Sequence, residues 1–189
     1  KQMPVDTYES LCDTLDENFD FTSVNFAKLR AVKREDELEL LRIAANIGDE
    51  SFAALLPQLK VGMTENEVRI ILETEMLKRG SEEPSFATII ASGTRSSMPH
   101  GVASDKVIEA GDFVTIDFGS VYKGYHSDMT RTIVMGTASD LQKKLYSIVL
   151  EAQKRGVAAV RAGITGKELD AICRDYIKEY GYKIGRAHV

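Results

Sequence analysis

The sequence predicts an α+β fold in which helices cover an antiparallel sheet. Three observations indicate this fold: amphipathic helices that begin with capping boxes, a strand-rich centre that contains a hairpin, and a capped helix that recurs later in the chain. Strands grouped between runs of helix are typical of a sheet with helices packed on it.

Residues 7–24 are predicted to form a short helix followed by a strand. Thr7 is the expected N-cap of this helix, and the strand is expected over residues 19–24. A unit of this size is too small to fold alone.

A long helix is predicted from a charged start at Lys33 to Pro57, which discourages continuation. Its apolar residues recur at nearly helical spacing, so we expect them to form its buried face. These residues are Leu38, Leu41, Ala45, Phe52 and Leu56.

Two later helices begin with the same capping box. Thr64 and Thr165 are each followed three residues later by a glutamate, so that hydroxyl and carboxylate satisfy unpaired amides of the first turn. Glycine ends both helices, at Gly80 and at Gly181. The two segments match at one constant offset, which indicates a duplicated helix-helix-strand unit whose second copy is cut short here.

The centre of the chain is predicted to be rich in strands. A strand over residues 87–91 precedes a long polar loop, and strands over 113–120 and 125–135 form a hairpin around Tyr122-Lys123-Gly124. Helices follow over residues 139–161 and from Thr165 to Tyr180.

Composition and charge exclude several classes of protein. The 189 residues are 43% apolar and 28% charged, the balance of an ordinary globular protein. Apolar stretches far shorter than about 20 residues exclude a membrane span. A net charge of -5 without a basic stripe argues against a nucleic-acid partner. Because Cys12 and Cys173 lie far apart, we expect both to be reduced and buried in a cytoplasmic protein.

The hairpin carries the strongest chemical signal. If Tyr122 and Lys123 form a two-residue loop, Asp117 and Asp128 lie directly opposite each other on one face, with Cβ atoms about 5 Å apart. Apolar neighbours intensify the repulsion between the two carboxylates, which a shared proton or a divalent cation would relieve. The alternative is two aspartates on a solvated hairpin.

Two histidines and a further aspartate are additional candidates for this site. His100 stands in a Pro-His-Gly loop without apolar periodicity, which suits a side chain held over a cleft or one that is merely solvated. His126 is expected to point to solvent. Asp112, after Glu109-Ala110-Gly111, is interpreted as a turn residue.

Residues 91–132, ASGTRSSMPHGVASDKVIEAGDFVTIDFGSVYKGYHSDMTRT, resemble the pita-bread metallopeptidases, the family of Xaa-Pro aminopeptidases, prolidases and methionine aminopeptidases. The His loop, the Gly-Asp segment and the two aspartate strands occur in the family's order and spacing. The resemblance implies the pita-bread fold, here its N-terminal half and the start of the second repeat. The SGTRSS and SDMTRT segments are closer to the Xaa-Pro branch than to the methionine branch.

The resemblance also implies roles for individual residues. In the family the two hairpin aspartates ligate a pair of divalent metal ions, which carries over to Asp117 and Asp128 as ligands of manganese, cobalt or zinc. The histidine of the Pro-His-Gly loop stabilises the tetrahedral intermediate, which carries over to His100. The implied activity is hydrolysis of Xaa-Pro bonds in peptides with proline at the second position, by a homodimeric cytoplasmic enzyme.

The chain departs from the family pattern after Tyr182. The remaining family ligands, one histidine and two glutamates, would follow that point, and no carboxylate occurs beyond Glu179. We therefore expect the parent protein to be the peptidase and this piece to be inactive. The alternatives are a pita-bread module that binds peptides without catalysis and a metal-free creatinase-type hydrolase.

Three regions of unequal length are expected along the chain. Residues 1–28 are interpreted as the remnant of a small N-terminal creatinase-like domain, and residues 29–183 as a truncated pita-bread peptidase domain. Residues 184–189, IGRAHV, end the resemblance abruptly, and one back-translation of them resembles a sequencing adapter. We expect this tail not to be native, the alternative being a genuine short C-terminus.

Overall fold

The computed structural model describes residues 3–15 and 26–183. The predicted strand at residues 19–24 and the IGRAHV tail therefore lie outside the described residues. The chain divides into two units, Lys1–Glu35 and Asp36–Val189. The predicted domain boundary after residue 28 stays a prediction.

The first unit contains two short helices, α1 (Val5–Thr14) and α2 (Ala27–Ala31). Helix α1 begins two residues before the predicted N-cap Thr7 and has Pro4 in that position, with no side-chain cap. Neither helix has a buried residue. The prediction of a buried Cys12 is therefore wrong, because the helix that carries it buries none of its side chains.

The second unit confirms the predicted order of helices, strands and helices. The helices follow their sequence signals closely, since both predicted capping boxes are formed and Gly80 and Gly181 adopt positive φ angles of 95° and 80°. No helix of the described residues is long and apolar enough to cross a bilayer. The elements are α3 (Glu35–Leu55), α4 (Glu65–Lys78), β1 (Ile89–Ser92), β2 (Phe113–Phe118), β3 (Val121–Tyr122), β4 (Tyr125–His126), β5 (Met129–Val134), α5 (Asp140–Ala159) and α6 (Gly166–Glu179).

Strands β1, β2 and β5 form an antiparallel sheet in the order β1-β2-β5, and β3 pairs with β4 at the hairpin end. Burial alternates along β2, which gives the sheet two distinct faces. The buried face carries Val114, Ile116 and Phe118, and it belongs to a core that also contains Leu55 of α3 and Leu72 of α4. Helices α3 and α4 thus cover this face, whereas the side chains that alternate with it stay half-exposed.

The buried face of α3 differs from the predicted one. The predicted apolar residues are only half-buried, except for Leu56, which is exposed. A different set of residues forms the buried stripe of the helix. Small residues decide this, because they let the helix approach the sheet: a Cβ built on Gly48 would lie 3.5 Å from Met129 and 3.6 Å from Phe118. The stripe consists of Ala44, Ile47, Gly48, Ser51 and Leu55.

Helices α5 and α6 pack against each other around a second, smaller cluster of Ile148, Ala152 and Ile177. Cys173 packs against this cluster and donates a hydrogen bond of 3.4 Å from Sγ to the Ala152 carbonyl oxygen. A Cβ at Gly156 would lie 2.6 Å from that sulfur, so glycine permits the close helix contact. The prediction that Cys173 packs in the apolar stripe of α6 is confirmed, although its burial is only partial.

The hairpin has a different register from the predicted one. The two-residue loop is Lys123-Gly124, with φ angles of 49° and 76°, which is typical of the type I′ turn of tight hairpins. The same register continues into β2 and β5, where Asp117 pairs with Thr130. The prediction that Asp128 lies directly opposite Asp117 is therefore wrong.

At Gly119 the hairpin strands approach too closely for a side chain to fit between them. A Cβ on this residue would overlap the carbonyl oxygen of Ser127, the residue just before Asp128. The amide of Ser120 bonds to Ser127 Oγ at 2.9 Å, and the amide of Ser127 bonds to the Ser120 carbonyl oxygen at 2.9 Å. Glycine at this position therefore allows the approach that brings Asp128 towards β2.

We expect Gly119→Ala to destabilise the chain by about 1–3 kcal/mol, because the added methyl group must push the two strands apart. Urea unfolding of the purified chain measures this change. Gly166→Ala is the matched control, since a Cβ there meets nothing within 4 Å. Equal unfolding midpoints for the two variants would show that the strands tolerate the methyl group.

Candidate functional site

Asp117 and Asp128 lie on the same, half-exposed face of the hairpin. Asp117 is opposite Thr130, and Asp128 precedes Thr130 by two residues, so both point the same way from the sheet. They are diagonal neighbours rather than direct partners, and diagonal pairs are still within reach of each other's charge. The register thus supports the predicted shared face, whereas the predicted direct pairing is wrong.

Asp117 is the less exposed of the two carboxylates. Burial raises its pKa, a hydrogen bond from Thr130 opposes this shift, and the negative charge of Asp128 adds to it. Its Oδ1 atom is buried without a hydrogen-bond partner, a state shared among the described residues only with Thr88 Oγ1. A buried carboxylate oxygen without a partner is costly unless a cation or a proton satisfies it.

His100 lies exposed in the turn that follows a short 3₁₀ segment, Gly93–Ser97. Its charge lowers the pKa of Asp117, so the imidazole lies within electrostatic reach of that carboxylate. The next residue, Gly101, is buried, and a Cβ there would lie 2.8 Å from the Ala91 Cβ of β1. The His loop therefore rests directly on the sheet that carries Asp117. His126 is exposed on β4, as predicted.

Asp112 belongs to a turn, as the sequence predicts. Its Oδ2 accepts hydrogen bonds from the Glu109 amide at 3.0 Å and from Lys106 Nζ at 2.9 Å. Desolvation opposes ionisation of this carboxyl, but these two donors lower its pKa below the ordinary value. Asp112 thus holds the start of β2 in place.

The two aspartates suit a divalent cation, because such ions bind carboxylate oxygens. The buried Oδ1 atom of Asp117 also has no hydrogen-bond partner. The two aspartates are an incomplete set. Within residues 3–15 and 26–183, no group of three or more histidine, cysteine, aspartate or glutamate side chains could hold a metal ion. A catalytic pair of ions needs further ligands to fix both ions and a water molecule.

Two residues that shape this site are not among the predicted ones. The predicted turn pairs Asp117 with Asp128, whereas a two-residue loop ending at Gly124 pairs it with Thr130. Glu65 has no predicted role, yet it is fully buried and contacts Ser92 and Ser104 at the two ends of the His loop. No local signal distinguishes it from an ordinary acidic residue in a first helical turn.

Comparison with known proteins gives the site its context. The model of metallopeptidase family M24 matches residues 39–189. A Xaa-Pro dipeptidase of Pyrococcus furiosus is 51% identical over 154 residues, which are 82% of this chain and 44% of that protein.

Solved structures agree with this similarity. A Xaa-Pro dipeptidase from Bacillus anthracis has a TM-score of 0.92 at 49% identity, covering 98% of this chain and 52% of that one. An X-Pro aminopeptidase from Thermotoga maritima has a TM-score of 0.80 at 47% identity, covering 82% and 44%. The pita-bread fold expected from the sequence is thus confirmed, and the chain spans about half the length of the relatives it matches. With the family model matching most of the second unit, this chain belongs to metallopeptidase family M24.

Proposed function

We propose that this chain is part of a metal-dependent exopeptidase that hydrolyses Xaa-Pro bonds, as an aminopeptidase or as a dipeptidase. The observation that carries the proposal is the buried, unpartnered Oδ1 of Asp117 on the face that also bears Asp128, within electrostatic reach of His100. Relatives of about 50% identity are named Xaa-Pro dipeptidase and X-Pro aminopeptidase, which supports this substrate class.

In this proposal Asp117 and Asp128 hold two divalent ions, which we take to be manganese, cobalt or zinc. Divalent ions bound there would supply the Lewis acidity that activates water and polarises a scissile carbonyl. The elevated pKa of Asp117 reflects a carboxylate that is unfavourable without a cation. Two carboxylates are too few to fix two ions and a water molecule, so further ligands would have to come from outside the described residues.

His100 would donate a hydrogen bond to the oxygen that becomes negatively charged during peptide hydrolysis. Its exposure suits this role, because the imidazole must reach a substrate rather than a neighbouring side chain. The substrate would be a peptide with proline at its second position. We further propose that the parent is a homodimer located in the cytoplasm.

We expect Asp117→Asn in the full-length parent to lower metal occupancy and turnover strongly, because an amide oxygen is a much weaker ligand than a carboxylate. Elemental analysis and initial rates measure the two losses. Asp140→Asn is the control, since its fully exposed side chain lies at the start of α5.

The Asp117→Asn variant also tests whether the Asp117 carboxylate stabilises the fold. In chelator near pH 7, Asp117→Asn should melt no lower than the wild type, because the fold disfavours the ionised form of this group. Acidification through the raised pKa of Asp117 should remove that disadvantage from the wild type. Wild-type metal content, or a large loss of stability in chelator, would refute the ligand assignment.

For His100→Ala we expect turnover to fall by roughly 10²-fold or more while metal stays bound, the usual consequence of losing one donor to the developing oxyanion. Steady-state rates and metal analysis on the same sample separate the two effects. His126→Ala, an exposed histidine on β4, should leave both quantities unchanged. Loss of metal from the His100 variant would instead make His100 a ligand.

A further inference from the structure

Glu65 is a fully buried carboxylate at the first residue of α4. The capping of this helix does not require it, because Thr64 and Glu67 form the capping box between themselves. Its side chain points instead to the segment between β1 and β2 that carries His100. A buried charge of this kind persists only where donors surround it.

The donors come from both ends of the His loop. Oε1 accepts hydrogen bonds from the Ser92 amide at 2.8 Å and from Ser92 Oγ at 2.9 Å. Oε2 accepts from the Ser104 amide at 3.1 Å and from Ser104 Oγ at 2.6 Å. Ser92 ends β1 and Ser104 follows His100, so one carboxylate joins the start of the loop to its end.

Arg95 connects this carboxylate to the middle of the loop. Its Nε lies 3.2 Å from Glu65 Oε2, and its Nη2 donates to the Val102 carbonyl oxygen at 2.7 Å. The Val102 amide in turn donates to the His100 carbonyl oxygen at 2.9 Å. The backbone of His100 is therefore two hydrogen-bonded steps from the Arg95 guanidinium and three from Glu65.

Lys106 extends the same network to the strand of Asp117. Its Nζ donates to Ser92 Oγ at 2.9 Å and to Asp112 Oδ2 at 2.9 Å, just before β2 begins. Hydrogen bonds through Ser92 and Lys106 thus connect the buried Glu65 carboxylate to Asp112 at the start of the Asp117 strand. Only a carboxylate can accept from amides, hydroxyls and a guanidinium together at this point, since an amide side chain would turn a donor towards them.

We propose that Glu65 is a positioning residue that holds His100 over the aspartate face through the Arg95 and Ser104 hydrogen bonds. This inference rests on the proposed function for the role of His100 in hydrolysis. The loop geometry by itself does not depend on that function. The two can therefore be tested separately on the same protein.

The test uses the metal-loaded, full-length parent with Glu65→Gln, a variant of equal size, and Glu67→Gln as the control from the same helical turn. Hydrogen exchange of the segment 92–104 should accelerate by about tenfold or more in Glu65→Gln, because hydrogen bonds to a charged group are lost. Exchange in β2 and β5 should not change. In Glu67→Gln the loop should exchange as in the wild type.

Kinetics on the same variants test the connection to His100. Glu65→Gln should lower kcat by about tenfold to hundredfold with little change in KM or metal content, since misplacing a catalytic group costs this much. Adding Glu65→Gln to His100→Ala should then cause little further loss, because the positioned group is already gone. A purely structural role predicts that the two losses multiply.

Each outcome decides one of the two proposals. Unchanged loop exchange, or multiplying kinetic losses, would overturn the positioning role of Glu65. A faster-exchanging loop combined with wild-type turnover in His100→Ala would keep the anchor and refute the function proposed for His100. If Glu65→Gln does not fold, Arg95→Met serves instead, since Arg95 is part-exposed and its loss leaves the serine contacts to Glu65 intact. It should show the same coupling to His100.

Discussion

The close crossing of the hairpin strands at Gly119 is the constraint on which the candidate site depends. No side chain fits between Gly119 and the Ser127 carbonyl, so the strands meet there at a separation that only glycine allows. The Lys123-Gly124 turn fixes the register of this crossing, and that register places Asp128 diagonally from Asp117. The position of both carboxylates thus follows from backbone geometry.

The position of Asp117 in the sheet determines the electrostatic environment of its carboxylate. Alternation along β2 buries Ile116 and Phe118 under α3 and α4, which leaves Asp117 between them on the opposite face, partly shielded from water. Desolvation and the charge of Asp128 both raise the pKa of Asp117. A bound cation would offset the cost of ionising such a carboxylate.

Close backbone packing and a buried carboxylate hold the His loop against the sheet. Gly101 rests against Ala91 without room for a side chain, and the Glu65 carboxylate gathers Ser92, Arg95 and Ser104 around one buried charge. Close backbone packing sets the height of the loop above the sheet, and the hydrogen-bonded charge sets its ends. A loop that is polar in sequence is therefore held by interior contacts.

Sequence alone determined the elements that depend on neighbours within a few residues. Both capping boxes and both terminal glycines were predicted because a helix end is satisfied by residues three or four positions away. The common face of Asp117 and Asp128 was also predictable, because a register error of two residues leaves the side-chain face unchanged. The resemblance in residues 91–132 supplied the family, which the comparisons confirmed.

Tertiary structure decided what depends on distant contacts. The register needed the Lys123-Gly124 turn, and the buried stripe of α3 follows small residues such as Gly48 that an apolar pattern overlooks. Glu65 looks like any acidic residue of a first turn until the fold brings Ser104 against it from 39 positions along the chain. The local sequence determines how each segment satisfies its own backbone hydrogen bonds. Burial, strand register and the surroundings of a buried charge arise only when segments that are distant in the chain pack together and exclude water.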